Sequence, residues 1–301
     1  AGNDEMAIEY LLKSGVKSAS QCANEDALKY FDQVAELLEK SQEPHRAEKA
    51  LLHEKRGEVL QLVGQWIKAT REYEKSLEYY DDPHSRAEVY QKLGWLVEES
   101  QDFPNARKQI ELGLNELAED DKSVVKVRLE TALVWIDKWS EGSPDNELAM
   151  RCHQIVKIAE DMGYKQEQAV LYAYIAFFNS AGLISSDDYI QKAVAIADEL
   201  YDNPKMAWVY YVIGHAKERL QNTDQAKYYY LRSIEIAERT NYKQTLILDY
   251  YKLSAIYETI GEYDKAIESC EKIFAIAEET KSVQSLMRCI FTMGVYKKLK
   301  G

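Results

Sequence analysis

Apolar residues recur along this chain at the spacing of an amphipathic helix almost without interruption. Between Ala87 and Ala118, Tyr90, Leu93, Gly94 and Val97 stand at i, i+3, i+4 and i+7, on one helix face. Gln101 and Asp102 break the pattern. Phe103-Pro104 opens a second helix, with the proline near its first position, where a missing N–H does no harm. Ala106, Ile110, Leu114 and Leu117 mark its buried stripe. The unit is helix, tight turn, helix, and it repeats. Gly94, Gly214, Ser254 and Gly294 lie on a lattice of 40 residues, and Gly15 and Gly57 continue it less regularly upstream. Twelve residues after five of these small residues comes an alanine: Ala27, Ala69, Ala106, Ala226 and Ala266.

A fixed period of this length predicts stacked units, none of which buries its apolar face alone. The expected fold is all-α, with fifteen helices arranged as about seven hairpins plus a terminal helix. A single domain over 1–301 is expected, with units near 4–40, 44–81, 84–119, 122–163, 166–202, 204–240 and 243–280 and a half-unit at 282–300. Helix pairs approach closely where side chains are small. A bulky residue at Gly94 or Ala106 is expected to cost roughly 1–3 kcal/mol. Val134 and Tyr174 replace glycine on the lattice, and Gly142-Ser143-Pro144-Asp145 lengthens a turn, so stacking is expected to change between 122 and 202. The five prolines all fall at junctions between apolar segments.

Tyr90-x2-Leu93-Gly94-x2-Val97 resembles the tetratricopeptide signature W-x2-L-G-x2-Y, as does Tyr250-x2-Leu253-Ser254-x2-Tyr257. Ala27-x3-Phe31, Ala69-x3-Tyr73 and Ala226-x3-Tyr230 match its second helix, and Gly64 and Gly261 stand at its turn. The resemblance covers nearly the whole chain and implies a right-handed superhelix, an α-solenoid. The period exceeds the usual 34 residues, and the excess sits in the recurring Ile158-Ala159-Glu160, Ile196-Ala197-Asp198, Ile236-Ala237-Glu238 and Ile276-Ala277-Glu278. This long form is similar to that of signalling and regulatory tetratricopeptide proteins. Tyr10 to Gly15 followed by Ala23 to Phe31 resembles the first repeat after the ATPase module in large bacterial multidomain proteins: nucleotide cyclases, kinases and signalling ATPases.

Charge narrows the partners. A net charge of −13 argues against nucleic acid and against an anionic membrane. No stretch approaches the roughly 20 apolar residues of a membrane helix, and no signal peptide is visible. Cys22, Cys152, Cys270 and Cys289 are scattered without CxxC spacing, which fits reduced thiols in a cytoplasmic protein.

Catalytic and cofactor signatures are absent: no phosphate loop, GxGxxG, GxSxG or HExxH, and no histidine pair at i, i+4. The resemblance implies that the first helix of each unit lines a concave groove. Its inward positions give Glu54, Glu58, Gln91, Trp95, Glu98, Trp135, Lys138, Phe178, Trp208, Tyr211, His215, Tyr251 and Glu258, with Trp139 and Arg219 beside them. Rings supply large contact area at low entropic cost, and the same rings also serve as core; for Trp95 and Trp135 the two readings stand level. Tyr90, Tyr210 and Tyr250 are read as core. In the tyrosine runs, Tyr210-Tyr211 among them, adjacent residues point about 100° apart, so one is expected buried and its neighbour exposed. No cationic clamp for a C-terminal carboxylate is visible, and an acidic, aromatic wall suits a basic or amphipathic helix or an extended peptide. The expected function is noncatalytic protein or peptide binding, as a regulatory module of a larger bacterial signalling protein. The opening Ala-Gly-Asn-Asp, with the first methionine at Met6, and the terminal half-unit motivate that reading. A free-standing cytosolic adaptor, a homodimer, and an enzyme with a dispersed site are the alternatives.

Overall fold

The computed structural model describes residues 2–21, 23–99, 102–140, 142–179, 186–280 and 283–300. Among them are fifteen helices and no strand. The chain divides into two compact units, Ala1–Ile136 and Asp137–Gly301. The first contains α1 (Gly2–Ser20), α2 (Asn24–Lys40), α3 (Arg46–Leu62), α4 (Trp66–Tyr79), α5 (Pro83–Glu99) and α6 (Phe103–Asn115), and most of α7 (Val124–Ser140). The second contains the end of α7, then α8 (Asp145–Asp161), α9 (Lys165–Asn179), α10 (Asp187–Glu199), α11 (Lys205–Arg219), α12 (Thr223–Thr240), α13 (Lys243–Thr259), α14 (Tyr263–Thr280) and α15 (Val283–Lys300).

Hairpins form from α1 and α2, α3 and α4, and α5 and α6 in the first unit, and from α11 and α12 and α13 and α14 in the second. Three of these turns close in the same way. Gln65 N–H reaches Leu60 O at 2.8 Å, Asn222 N–H reaches Lys217 O at 3.0 Å, and Glu262 N–H reaches Tyr257 O at 2.8 Å. This five-residue return needs a left-handed residue just before it. Gly64 and Gly261 supply it at φ 75° and 79°, while Gln221 takes the same conformation at φ 58° without being glycine.

The lattice glycines are sealed by a side chain sixteen positions downstream, four beyond the recurring alanine. A Cβ built on Gly15 would stand 2.5 Å from Phe31, one on Gly57 2.7 Å from Tyr73, one on Gly94 2.5 Å from Ile110, and one on Gly214 2.7 Å from Tyr230. The close approach is therefore between a glycine and a ring or branched chain. Ala106 offers its carbonyl to Gly94 from farther away, 3.5 Å from such a Cβ.

Tyrosine hydroxyls staple successive helices in the second unit. Tyr210 donates to Asp198 at 2.6 Å, Tyr250 to Glu238 at 2.9 Å, and Tyr172 to Glu160. These acids end the recurring Ile-Ala-Glu/Asp segments, so the added length of the second helices carries the acceptors. Burial and the adjoining carboxylates push these phenols above their ordinary range. Tyr210 and Tyr211 are both buried, against the expected alternation, because α11 is covered by both α12 and α9. In the run Tyr228-Tyr229-Tyr230 exposure falls step by step: Tyr228 is exposed, Tyr229 half-buried and Tyr230 fully buried.

Candidate functional site

In the first unit the acidic candidates belong to an ion network centred on a lysine that the inward-position reading passes over. Lys92 Nζ binds Glu54, Glu58 Oε1 at 2.6 Å and Glu88 Oε1 at 3.3 Å. Lys55 Nζ adds Glu58 at 2.9 Å and Glu54 at 3.4 Å, and the Tyr80 hydroxyl donates to the other Glu54 oxygen. Glu54 is buried. Desolvation alone would raise its pKa; Lys92, Lys55 and the Tyr80 hydroxyl outweigh it and hold the carboxyl at about 2. Burial opposes the charge on Lys92, and the surrounding carboxylates overcome that and raise its pKa. The carboxylates at these positions are thus already paired. Gln91 is buried beside them, Trp95 is half-buried and Trp135 is buried. The Glu98 side chain lies outside the described residues. Lys92 escaped notice because its long side chain reaches back 34 residues, to the previous hairpin.

In the second unit α7, α9 and α11 bring rings into a continuous shelf. Trp139 stacks on His215, with centroids 6.3 Å apart and planes 6° apart. Phe177 lies 5.0 Å from His215 and 6.5 Å from Trp139. Tyr211 follows at 6.2 Å from His215, and Trp208 stacks on Tyr211 at 5.2 Å. Trp208 Nε1 donates to the Tyr174 hydroxyl at 3.2 Å. Phe178 is buried, 5.3 Å edge-on from Phe177. Trp208 and Tyr211 are buried as well, whereas Trp139 is 42% exposed and forms the open edge.

Charge sits at that edge. The Arg219 guanidinium lies 4.7 Å over the Phe177 ring and binds Asp145 Oδ2 at 2.5 Å; Lys138 binds Asp145 Oδ1 at 2.6 Å. These contacts draw Asp145 below the usual carboxylate range although burial opposes it. His215 is depressed to about 4, first by burial and then by Lys252, with Arg219 adding to it, so its ring is neutral at pH 7. Its Nδ1 is buried without a hydrogen-bond partner among the described residues. Glu218, one turn on from His215, accepts from Lys252 at 3.0 Å and from Tyr230 at 2.7 Å. Tyr251 and Glu258 join another neighbourhood: Arg288 lies 4.2 Å over the Tyr251 ring, and Glu258 faces the Tyr296 hydroxyl. The shelf is aromatic with a two-cation, one-anion edge, and Glu54 and Glu58 of the acidic wall read from the sequence are paired with lysines.

Sequence patterning anticipated Trp139, His215 and Arg219 but missed Phe177, one position short of the inward register, and Asp145, which lies in the lengthened turn region. No group of three or more His, Cys, Asp or Glu side chains suited to a metal ion occurs among the described residues. No helix among them is long and apolar enough to cross a membrane. Cys152, Cys270 and Cys289 are buried free thiols, and Cys22 lies outside the described residues.

The tetratricopeptide repeat family model matches residues 209–240 and 250–280, so the chain carries tetratricopeptide repeats across α11 to α14. No curated protein sequence matches it. Among solved structures it is similar to a Rap protein complexed with competence and sporulation factor, with a TM-score of 0.63 at 16% identity over 98% of this chain and 88% of that one. It is also similar to a plasmid Rap conjugation gene regulator in complex with a Phr peptide, with a TM-score of 0.55 at 13% identity over 97% and 96%. A third is a signal transduction ATPase with numerous domains and a tetratricopeptide repeat sensor, from Pyrococcus horikoshii. There the TM-score is 0.50 at 12% identity, over 98% of this chain and 45% of that one. At these identities the likeness is one of fold.

Proposed function

We propose that this chain is a noncatalytic peptide- or protein-binding module and that the Trp139 shelf of the second unit receives the ligand. The observation that carries the reading is an exposed indole stacked on a neutral, half-buried imidazole, with Arg219, Lys138 and Asp145 fixed beside it. A flat apolar surface anchors a side chain, and the adjoining charges hydrogen-bond backbone or polar groups; this is the division of labour of a binding hot spot. The peptide-bound Rap regulator of similar fold supports a peptide as ligand. The sensor-bearing ATPase supports a regulatory role within a larger signalling protein, and a free-standing adaptor is the second reading. Peptide-display selection against the chain, counter-screened on Trp139→Ala and Arg219→Ala, tests this. Enriched peptides are expected to bind the parent at least tenfold more tightly than either variant, with melting temperatures little changed. Equal binding to parent and variants would dismiss the shelf as the site.

A further inference from the structure

Between α2, α3 and α4 of the first unit lies a cleft of about 470 Å³. The α4 helix presents Lys68, Arg71, Glu72 and Lys75 to it, at spacings of three and four that put them on one face. Arg56 of α3 and Asp32 of α2 complete the charged lining, and Leu28 and Leu60 give it an apolar patch. Leu60 is buried and Arg56 half-buried, so α3 forms the floor.

The charges do not balance. Four cations meet two carboxylates, and both carboxylates are engaged within the chain. Asp32 binds Arg56 Nη2 at 2.8 Å. Glu72 binds His53 Nδ1 at 2.7 Å and has Lys75 Nζ at 3.7 Å. Burial opposes the charge on Glu72; the His53 hydrogen bond, Arg56 and Lys75 outweigh it and lower its pKa. Lys68 and Arg71 are exposed and form no ion pair among the described residues, and Arg56 Nε is buried among them without a hydrogen-bond partner. Arg71 and Lys75 stand at i, i+4, a like-charge spacing that weakens a helix. This positive surplus lies on a chain of net charge −13.

A later repeat has the same cleft without the surplus. Counting from Ala69 and Ala226, Leu60, Gln65, Lys68 and Glu72 correspond to Lys217, Asn222, Gln225 and Tyr229. Those four line a cleft of about 350 Å³ between α10, α11 and α12. Its charges are Lys217 and Asp187, bound to each other at 2.6 Å. The repeat makes the cleft, and the sequence of α4 makes it basic.

We propose that the cleft between α2, α3 and α4 binds a small phosphate monoester. Such a group carries a charge of about −1.5 to −2 at pH 7, which matches the surplus, and a cleft of this size suits a small molecule. The Arg71 guanidinium takes two phosphate oxygens side by side, Lys68 adds a compact charge, and Leu28 and Leu60 pack the organic group. The site belongs to the first unit and rests on no part of the Trp139 reading.

The test is calorimetric titration of phenyl phosphate and of inorganic phosphate into the intact chain at pH 7.5 and low salt. Phenyl phosphate is expected to saturate a single site and to bind at least tenfold more tightly than the inorganic ion. Lys68→Gln combined with Arg71→Gln is expected to weaken it at least tenfold at an unchanged melting temperature, since both side chains are exposed. Lys108→Gln combined with Lys272→Gln, at exposed counterparts of Arg71 and Lys75 in other repeats, removes the same charge elsewhere and is expected to leave binding intact. Equal weakening by the two double variants would reduce the effect to diffuse attraction and overturn the proposal, as would no saturable binding to the parent. Equal affinity for the two ligands would assign the cleft to the free ion and overturn the ester.

Discussion

Replacing Gly214 by alanine adds a methyl carbon 2.7 Å from Tyr230 Cε1 and 2.8 Å from Cδ1. Carbon atoms rest comfortably at about 3.5–4.0 Å, so the ring must move by roughly 1 Å. It has little freedom to do so. Tyr230 is fully buried, its hydroxyl donates to Glu218 Oε2 at 2.7 Å, and Lys252 holds the same oxygen at 3.0 Å. Overpacking of this kind costs about 1–3 kcal/mol, offset by about 1 kcal/mol from alanine's better helix propensity. The same substitution at Gly294 meets no atom within 4 Å, so only the propensity gain of about 1 kcal/mol applies. The difference between the two variants cancels propensity and leaves the clash, about 1–3 kcal/mol. In a repeat array stability is a sum of local terms, so the assay is amide hydrogen exchange, read in α11 and α12 for one variant and in α15 for the other. Gly214→Ala is expected to lower protection and Gly294→Ala to raise it. Tyr230→Leu on the Gly214→Ala background should restore part of the loss, a coupling that a double-mutant cycle measures. Equal stabilisation by both alanines would refute the glycine notch as the determinant of helix approach.

Lys92→Ala removes the central cation from Glu54, Glu58 and Glu88 and leaves Lys55 and the Tyr80 hydroxyl as the remaining partners; a loss of about 1–3 kcal/mol is expected by denaturant titration, and a loss below about 1 kcal/mol would reduce the network to an ordinary surface ion pair. His215 titrates at about 4 in the folded chain against about 6.5 unfolded, so the unfolded chain takes up the proton first. Its contribution to stability is complete above pH 6.5 and is lost as pH falls towards 4, by about 1.4 kcal/mol at pH 5.5. Buried Asp249, raised well above its ordinary value by desolvation, slopes the other way. The measurement is therefore the parent minus His215→Phe, by melting at pH 7.5 and 5.5; an unchanged difference would show that the imidazole is not held neutral.

Part of the site was legible because it rests on period. Trp139, His215 and Arg219 stand on first helices at positions that the 40-residue lattice turns to one side, so counting from the small residue finds them. Lys92 and Phe177 each stand one place off that register. Lys92 matters because a four-carbon stem carries its charge back to the preceding hairpin. Phe177 matters because α9 packs against both α8 and α11, which aims a core ring at His215. Neither event has a local signal. Glu54 and Glu58 read as part of an open acidic wall from the sequence and prove to be paired, since Lys92 reaches them from another helix.

The sequence by itself determined the helices and the notch residues, because apolar spacing and the placing of glycine act within one hairpin. The Ala-x3-Φ spacing already encoded which ring would seat on which glycine, sixteen residues on. Only the tertiary structure decided which charges remain available and which rings face solvent, because those depend on side chains reaching between repeats. The exposed Trp139 beside the buried Phe178, and the open Gly294 beside the sealed Gly214, are similar residues on one lattice. What separates them is whether another helix lies across them.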